Sequence, residues 1–87
     1  MIYDKFKITG KTCVITGGAG LLGQKHAEAV IEGEGIPILL DISEAALNNA
    51  QTNLKKQYPS AEIGVYRVDI TKQSELENVR DELVKKY

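Results

Sequence analysis

The stretch Thr12-Cys13-Val14-Ile15-Thr16-Gly17-Gly18-Ala19-Gly20-Leu21-Leu22-Gly23 decides the fold. Its first five residues form a short β-branched run, bounded by Gly10-Lys11 before and Gly17-Gly18 after, which predicts a buried strand. Its last six residues spell G-x-G-x-x-G, and a helical stretch from about Leu21 to Glu32 follows. A glycine cluster that leaves a strand and opens a helix has a physical use. The turn is tight, which asks for no Cβ at Gly18. A ligand's pyrophosphate approaches the backbone at Gly20, and the helix packs closely at Gly23. The helix N-terminus then offers free N–H groups and the positive end of its dipole to phosphates.

Working outward, the first helix is expected to present Leu22, Ala29 and Val30 on a face shared with His26, and to end at Gly33 and Gly35. Ile36-Pro37-Ile38-Leu39-Leu40-Asp41 is the second strand, with Pro37 near its start, where proline is tolerated. Ser43 is a good N-cap for a helix from about Glu44 to Tyr58, whose Leu47, Ala50, Leu54 and Tyr58 recur at helical spacing. Pro59-Ser60 breaks it. Ile63 to Ile70 is the third strand, and Thr71 is expected to cap a third helix with an apolar stripe of Leu76, Val79, Leu83 and Tyr87. The order β-α-β-α-β-α predicts an α/β, Rossmann-type three-layer fold, partial, with a parallel sheet. The first two helices should lie on one face of that sheet and the third on the other, with the first strand's outer edge left bare. Bare edges pair with other chains, so self-association is expected there.

Composition narrows the function classes. The 87 residues suit one small domain, and 43% hydrophobic with 26% charged residues is an ordinary globular profile. A net charge of −1 gives no surface for nucleic acid or anionic membrane. The basic pairs Lys55-Lys56 and Lys85-Lys86 read as solvated helix faces. Cys13 is the single cysteine, so no internal disulfide can form, and it is expected to be a small buried hydrophobe. Met1 to Lys7 is too charged for a signal peptide, and the apolar run Ile36 to Leu40 is far too short to span a membrane. A reducing cytoplasm is the expected location.

Two acids complete the candidate site. Asp41 ends the second strand, 18 residues after Gly23. A carboxylate there accepts hydrogen bonds from adenosine ribose hydroxyls and repels a 2′-phosphate, which points to NAD rather than NADP. No Arg or Lys lies among residues 42 to 54 to receive such a phosphate. Asp69, in Val68-Asp69-Ile70-Thr71, ends the third strand and falls near the adenine, whose exocyclic amine it could meet. The candidate cofactor-binding set is Gly17, Gly18, Gly20, Leu21, Leu22, Gly23, Asp41, Ile42, Asp69 and Ile70, with NAD as the cofactor and no metal. His26 reads as a packing or surface residue, and none of the tyrosines at 3, 58, 66 and 87 forms a helical-spacing pair with lysine suited to catalysis.

At this point the chain resembles the short-chain dehydrogenase/reductase family over essentially its whole length. Phe6-Lys7-Ile8-Thr9-Gly10-Lys11 resembles the family's lead-in to the first strand, and Thr16 to Gly23 its glycine motif. Asp41 and Asp69-Ile70-Thr71 match its ribose and adenine acids. One departure stands out. The common branch reads T-G-x-x-x-G-x-G, whereas Thr16, Gly17, Gly20 and Gly23 fit T-G-x-x-G-x-x-G, the form of the extended branch of sugar-nucleotide epimerases and dehydratases. The resemblance implies hydride transfer between nicotinamide and an alcohol or ketone, including sugar derivatives. The family's Asn-Asn-Ala-Gly segment, its catalytic Ser and its Tyr-x-x-x-Lys pair would lie past Tyr87. Residues 1–87 are therefore expected to be the first half of a dinucleotide-binding domain, without catalytic residues. Two alternatives stay open: a non-catalytic dinucleotide-binding module, and an S-adenosylmethionine-dependent methyltransferase, which also places glycines after the first strand and an acid after the second.

Overall fold

The computed structural model describes residues 10–87. The lead-in Phe6 to Thr9, the Met1 to Lys7 segment and Tyr3 lie outside the described residues. The elements alternate as expected: β1 (Thr12–Thr16), α1 (Leu21–Glu32), β2 (Ile36–Asp41), α2 (Glu44–Gln57), β3 (Gly64–Arg67) and α3 (Gln73–Lys86). The three strands form one parallel sheet in the order β1-β2-β3. Thr12 pairs with Ile36 and Thr16 with Leu40, while Ile38 pairs with Gly64 and Asp41 with Arg67.

The middle strand explains the core. β2 has neighbours on both edges and helices on both faces, so successive side chains are buried alternately to each side. Leu39 faces α1 and α2, joining Ala27, Leu47, Ala50, Leu54 and Ile63. Ile38 and Leu40 face α3, joining Val68 with Val79, Leu83 and Tyr87 around them. The first two helices thus share one face and the third takes the other, as the connectivity predicts.

Four local expectations need correction. The buried face of α1 consists of Gly23 and Ala27, whereas Leu22, His26 and Ala29 are exposed and Val30 is half-buried. The glycine turn draws Gly23 inward and thereby sets the rotation of the whole helix. Second, β1 is not a buried strand: its residues alternate between exposed and half-buried, Val14 is 53% exposed and Cys13 half-buried, because β2 is its one strand neighbour among the described residues. Third, β3 covers four residues rather than eight, since β2 offers ladder partners from Ile38 to Asp41 only. Ile63 and Val68 remain buried beyond its ends. Fourth, Thr71 does not cap α3. Lys72 occupies that position without a side-chain cap, and the Thr71 hydroxyl turns to Asp69 instead.

The other boundaries follow their chemistry. Ser43 accepts the N–H of Ala46 at 3.2 Å, and Lys55 and Lys56 lie in the last turn of α2, where the helix dipole favours cations. Gly33 ends α1 with its N–H on the carbonyl of Ala29, but the left-handed residue is Glu34, at φ 69°.

Candidate functional site

The carboxyl ends of the three strands converge on one end of the sheet, where open α/β folds bind ligands. Gly17, Asp41, Ile42, Asp69 and Ile70 line a cleft of about 230 Å³ there, floored by Leu40 and Val68. Five of the ten candidate residues are therefore gathered around one opening. The other five, Gly18, Gly20, Leu21, Leu22 and Gly23, form the turn and first helical residues beside it.

Each glycine has its own geometric cause. The left-handed backbone falls on Gly17, at φ 65°, so Gly17 rather than Gly18 makes the tight turn possible. A Cβ on Gly18 would lie 2.7 Å from the Cβ of Leu39 and 3.0 Å from the carbonyl oxygen of Ile15, so Gly18 is needed for contact with the sheet. A Cβ on Gly23 would lie 2.5 Å from the carbonyl oxygen of Gly17, so α1 packs against the turn itself. Gly20 differs from both. Among the described residues, a Cβ there would meet only the carbonyl oxygen of Gly17, at 3.4 Å, and otherwise open space. No packing among those residues demands glycine at position 20; a ligand passing close to the backbone would.

The N–H groups divide in the same way. Gly18 donates to the carbonyl of Leu40 at 3.0 Å, Gly20 to the carbonyl of Gly17 at 3.1 Å, and Ala19 to the Asp41 carboxylate at 3.2 Å. Those of Leu21, Leu22 and Gly23, in the first turn of α1, have no acceptor among the described residues. First-turn N–H groups of this kind, at the positive end of the dipole, suit a phosphate. Leu21 and Leu22 point outward, 79% and 70% exposed.

The two acids are anchored by backbone. Asp41 accepts from Ala19 through one oxygen and from Ser43 N–H, at 3.1 Å, through the other. Asp69 accepts from the Thr71 hydroxyl at 2.6 Å and the Thr71 N–H at 3.0 Å through a single oxygen. These bonds, with Lys72 and Arg67 nearby, hold the Asp69 carboxyl below the usual carboxylate range. The two cations are themselves paired with Glu75, Arg67 at 3.5 Å and Lys72 at 3.7 Å. Glu75 also accepts the N–H of Asp69 at 3.1 Å. It is a residue the sequence reading passed over. Its signal was there: an acid three positions after the N-cap commonly reaches back to free backbone N–H groups.

The family model for short chain dehydrogenases matches residues 11–87. The chain belongs to that family. Among curated short-chain dehydrogenases it is 39% identical over 87 residues to an NAD-dependent glycerol dehydrogenase of Listeria innocua, covering 98% of this chain and 32% of that protein. It is 34% identical over 80 residues to a short chain dehydrogenase/reductase of Gibberella zeae, covering 92% of this chain and 28% of that protein. Among solved structures, NAD+-bound xylitol dehydrogenase superposes with a TM-score of 0.82 at 28% identity, over 91% of this chain and 30% of that one. L-Sorbose reductase from Gluconobacter frateurii, complexed with NADPH and L-sorbose, superposes at 0.83 with 22% identity over 93% of this chain and 30% of its own, which shows the shared fold. The chain thus spans about a third of the length of the short-chain dehydrogenases it matches.

Proposed function

We propose that this chain is the NAD-holding first half of a dinucleotide-binding domain in a short-chain dehydrogenase that oxidises an alcohol or reduces a ketone, with sugar derivatives and related polyols as the substrate class. The observation that carries the reading is the space over Gly20, open among the described residues, beside the N–H groups of Leu21 to Gly23, which have no acceptor among them, in a turn whose Ala19 N–H is held by Asp41. The pyrophosphate belongs over Gly20 and the first turn of α1. Asp41 would receive the ribose hydroxyls, and Ile42 and Ile70, 57% and 51% exposed, would flank the adenine with Asp69 at its edge. The bound dinucleotide supplies the hydride acceptor or donor.

NAD is favoured over NADP by charge. Asp41 and Asp69 face one cleft, and the cations nearest Asp69 are both paired with Glu75. A 2′-phosphate would meet these carboxylates, and among the described residues no Lys or Arg lines the cleft to receive it. The glycerol dehydrogenase and xylitol dehydrogenase relatives support the same cofactor and the polyol class. None of the 87 residues is assigned a catalytic role, and the chain alone is expected to show no turnover. It is also expected to self-associate through the outer edge of β1, which has no strand neighbour among the described residues; a strict monomer by light scattering would count against that.

The test is titration with NADH and with NADPH, followed by cofactor fluorescence. Saturable NADH binding with much weaker NADPH binding supports the assignment. Equal affinity, or tighter NADPH, overturns the choice of NAD.

A further inference from the structure

We propose that Asp41 is a positioning residue for the phosphate-facing turn, and not solely an acceptor for the ribose. The proposal rests on the cofactor assignment above. Its motive is a junction of three chain segments on one side chain. One oxygen of Asp41 accepts the N–H of Ala19, 22 positions earlier in the sequence, and the other accepts the N–H of Ser43. Ser43 in turn caps α2 by accepting from Ala46. The carboxylate therefore ties the middle of the glycine turn to the exit of β2 and the entry of α2.

The bond to Ala19 has a structural consequence. Ala19 is half-buried and packs against the cluster that contains Leu39, so its N–H has restricted access to water and needs an acceptor inside the protein. Among the described residues no backbone carbonyl accepts this N–H, and the Asp41 carboxylate is its acceptor. With the Ala19 peptide plane fixed by Asp41, the free N–H groups of the next residues are fixed in direction as well. A charged acceptor makes this bond stronger than a neutral one. An ionised carboxylate has about four lone-pair directions, so two engaged N–H groups leave room for ribose hydroxyls at the same time.

The two roles separate with an altered ligand and with a readout that needs none. Asp41→Ala and the isosteric Asp41→Asn are compared with the natural chain. Affinity is measured for NADH and for its analogue carrying 2′,3′-dideoxyadenosine, which has no adenosine ribose hydroxyls. If Asp41 positions the turn, Asp41→Ala weakens the dideoxy analogue about tenfold, the scale of one hydrogen bond to a charged group. If it acts through the ribose alone, the natural chain and Asp41→Ala bind that analogue equally, which overturns the proposal. Without ligand, amide hydrogen exchange by NMR should quicken at Ala19 at least about tenfold in Asp41→Ala and less in Asp41→Asn, while Leu39 and Leu54 are unchanged. Unaltered exchange at Ala19 overturns the proposal even if NADH proves not to bind. Failure of NADH binding with altered exchange at Ala19 overturns the cofactor assignment and leaves the positioning of the turn standing.

Discussion

Gly23 lies so close beneath the glycine turn that a Cβ on it would sit 2.5 Å from the carbonyl oxygen of Gly17 and 2.7 Å from the Cα of Gly18. Both opposing atoms are backbone, so neither can swing aside. Gly20, three residues earlier in the same motif, has, its chain neighbours aside, one atom of the described residues within 4 Å of the equivalent position. One motif thus contains a glycine required by the fold and, on the proposed assignment, a glycine that leaves room for the ligand. Gly23→Ala should lower stability by about 1–3 kcal/mol, the usual cost of overpacking. Gly20→Val should change stability by less than about 1 kcal/mol, since its φ of −73° and ψ of 167° suit any residue, yet abolish dinucleotide binding. Thermal melts and NADH titration of the two variants check this; unchanged affinity in Gly20→Val would remove the phosphate assignment.

Gly18 offers a sharper test of close packing. Its absent Cβ would strike the Cβ and Cα of Leu39, at 2.7 and 2.9 Å. Leu39→Ala alone should cost about 2–5 kcal/mol, because Leu39 is fully buried at the centre of the α1–α2 face. It should not rescue Gly18→Ala, because alanine retains both offending atoms. Denaturant melts of the two single variants and the double variant should show no compensating interaction.

On the proposed function, cofactor choice depends on the acid at the end of β2. Asp41→Ala should weaken NADH and raise the affinity for NADPH relative to it by about tenfold or more, as removal of one repulsive charge predicts. Parallel titrations with both cofactors decide. An unchanged NADH-to-NADPH ratio would mean that Asp41 is not the ribose acid.

Asp69 and Thr71 give a pH prediction. The carboxylate form is favoured in the folded chain by the Thr71 hydroxyl and N–H, so the folded carboxyl titrates below its unfolded value of about 3.9. The stabilisation is then fully present above that value and is lost as pH falls through the lower, folded one. Thr71→Val removes the hydroxyl donor and should move the Asp69 midpoint up toward the ordinary range. A carboxyl ¹³C titration by NMR reads this directly; an unmoved midpoint would show that the Thr71 hydroxyl has no part in it.

Much of this architecture was legible in the residues. The β-branched run before Gly17, the Ser43 cap and the Leu47-Ala50-Leu54 stripe each have one physical interpretation, and each element stands where they put it. What escaped was decided by partners remote in the chain. The face α1 buries depends on Gly23 meeting the turn, which periodicity alone does not reveal. The length of β3 depends on where β2 stops. The exposure of β1 depends on what lies along its edge. At the site, the glycines and acids were recognisable by spacing, but their division of labour was not. The tight turn expected of Gly18 falls to Gly17 while Gly18 meets the sheet, and Glu75 enters because an acid in the first turn of α3 folds back to Asp69.

Gly18, Ala19 and Gly20 of the glycine turn each hold their N–H on a partner within the chain. A turn tied from within the chain leaves a dinucleotide little backbone ordering to impose. Encounter should then be a single kinetic phase, with an observed rate that rises linearly with ligand concentration and an association constant in the ordinary docking range of about 10⁵–10⁷ M⁻¹ s⁻¹. Substitutions around the turn should register chiefly in how long the ligand stays.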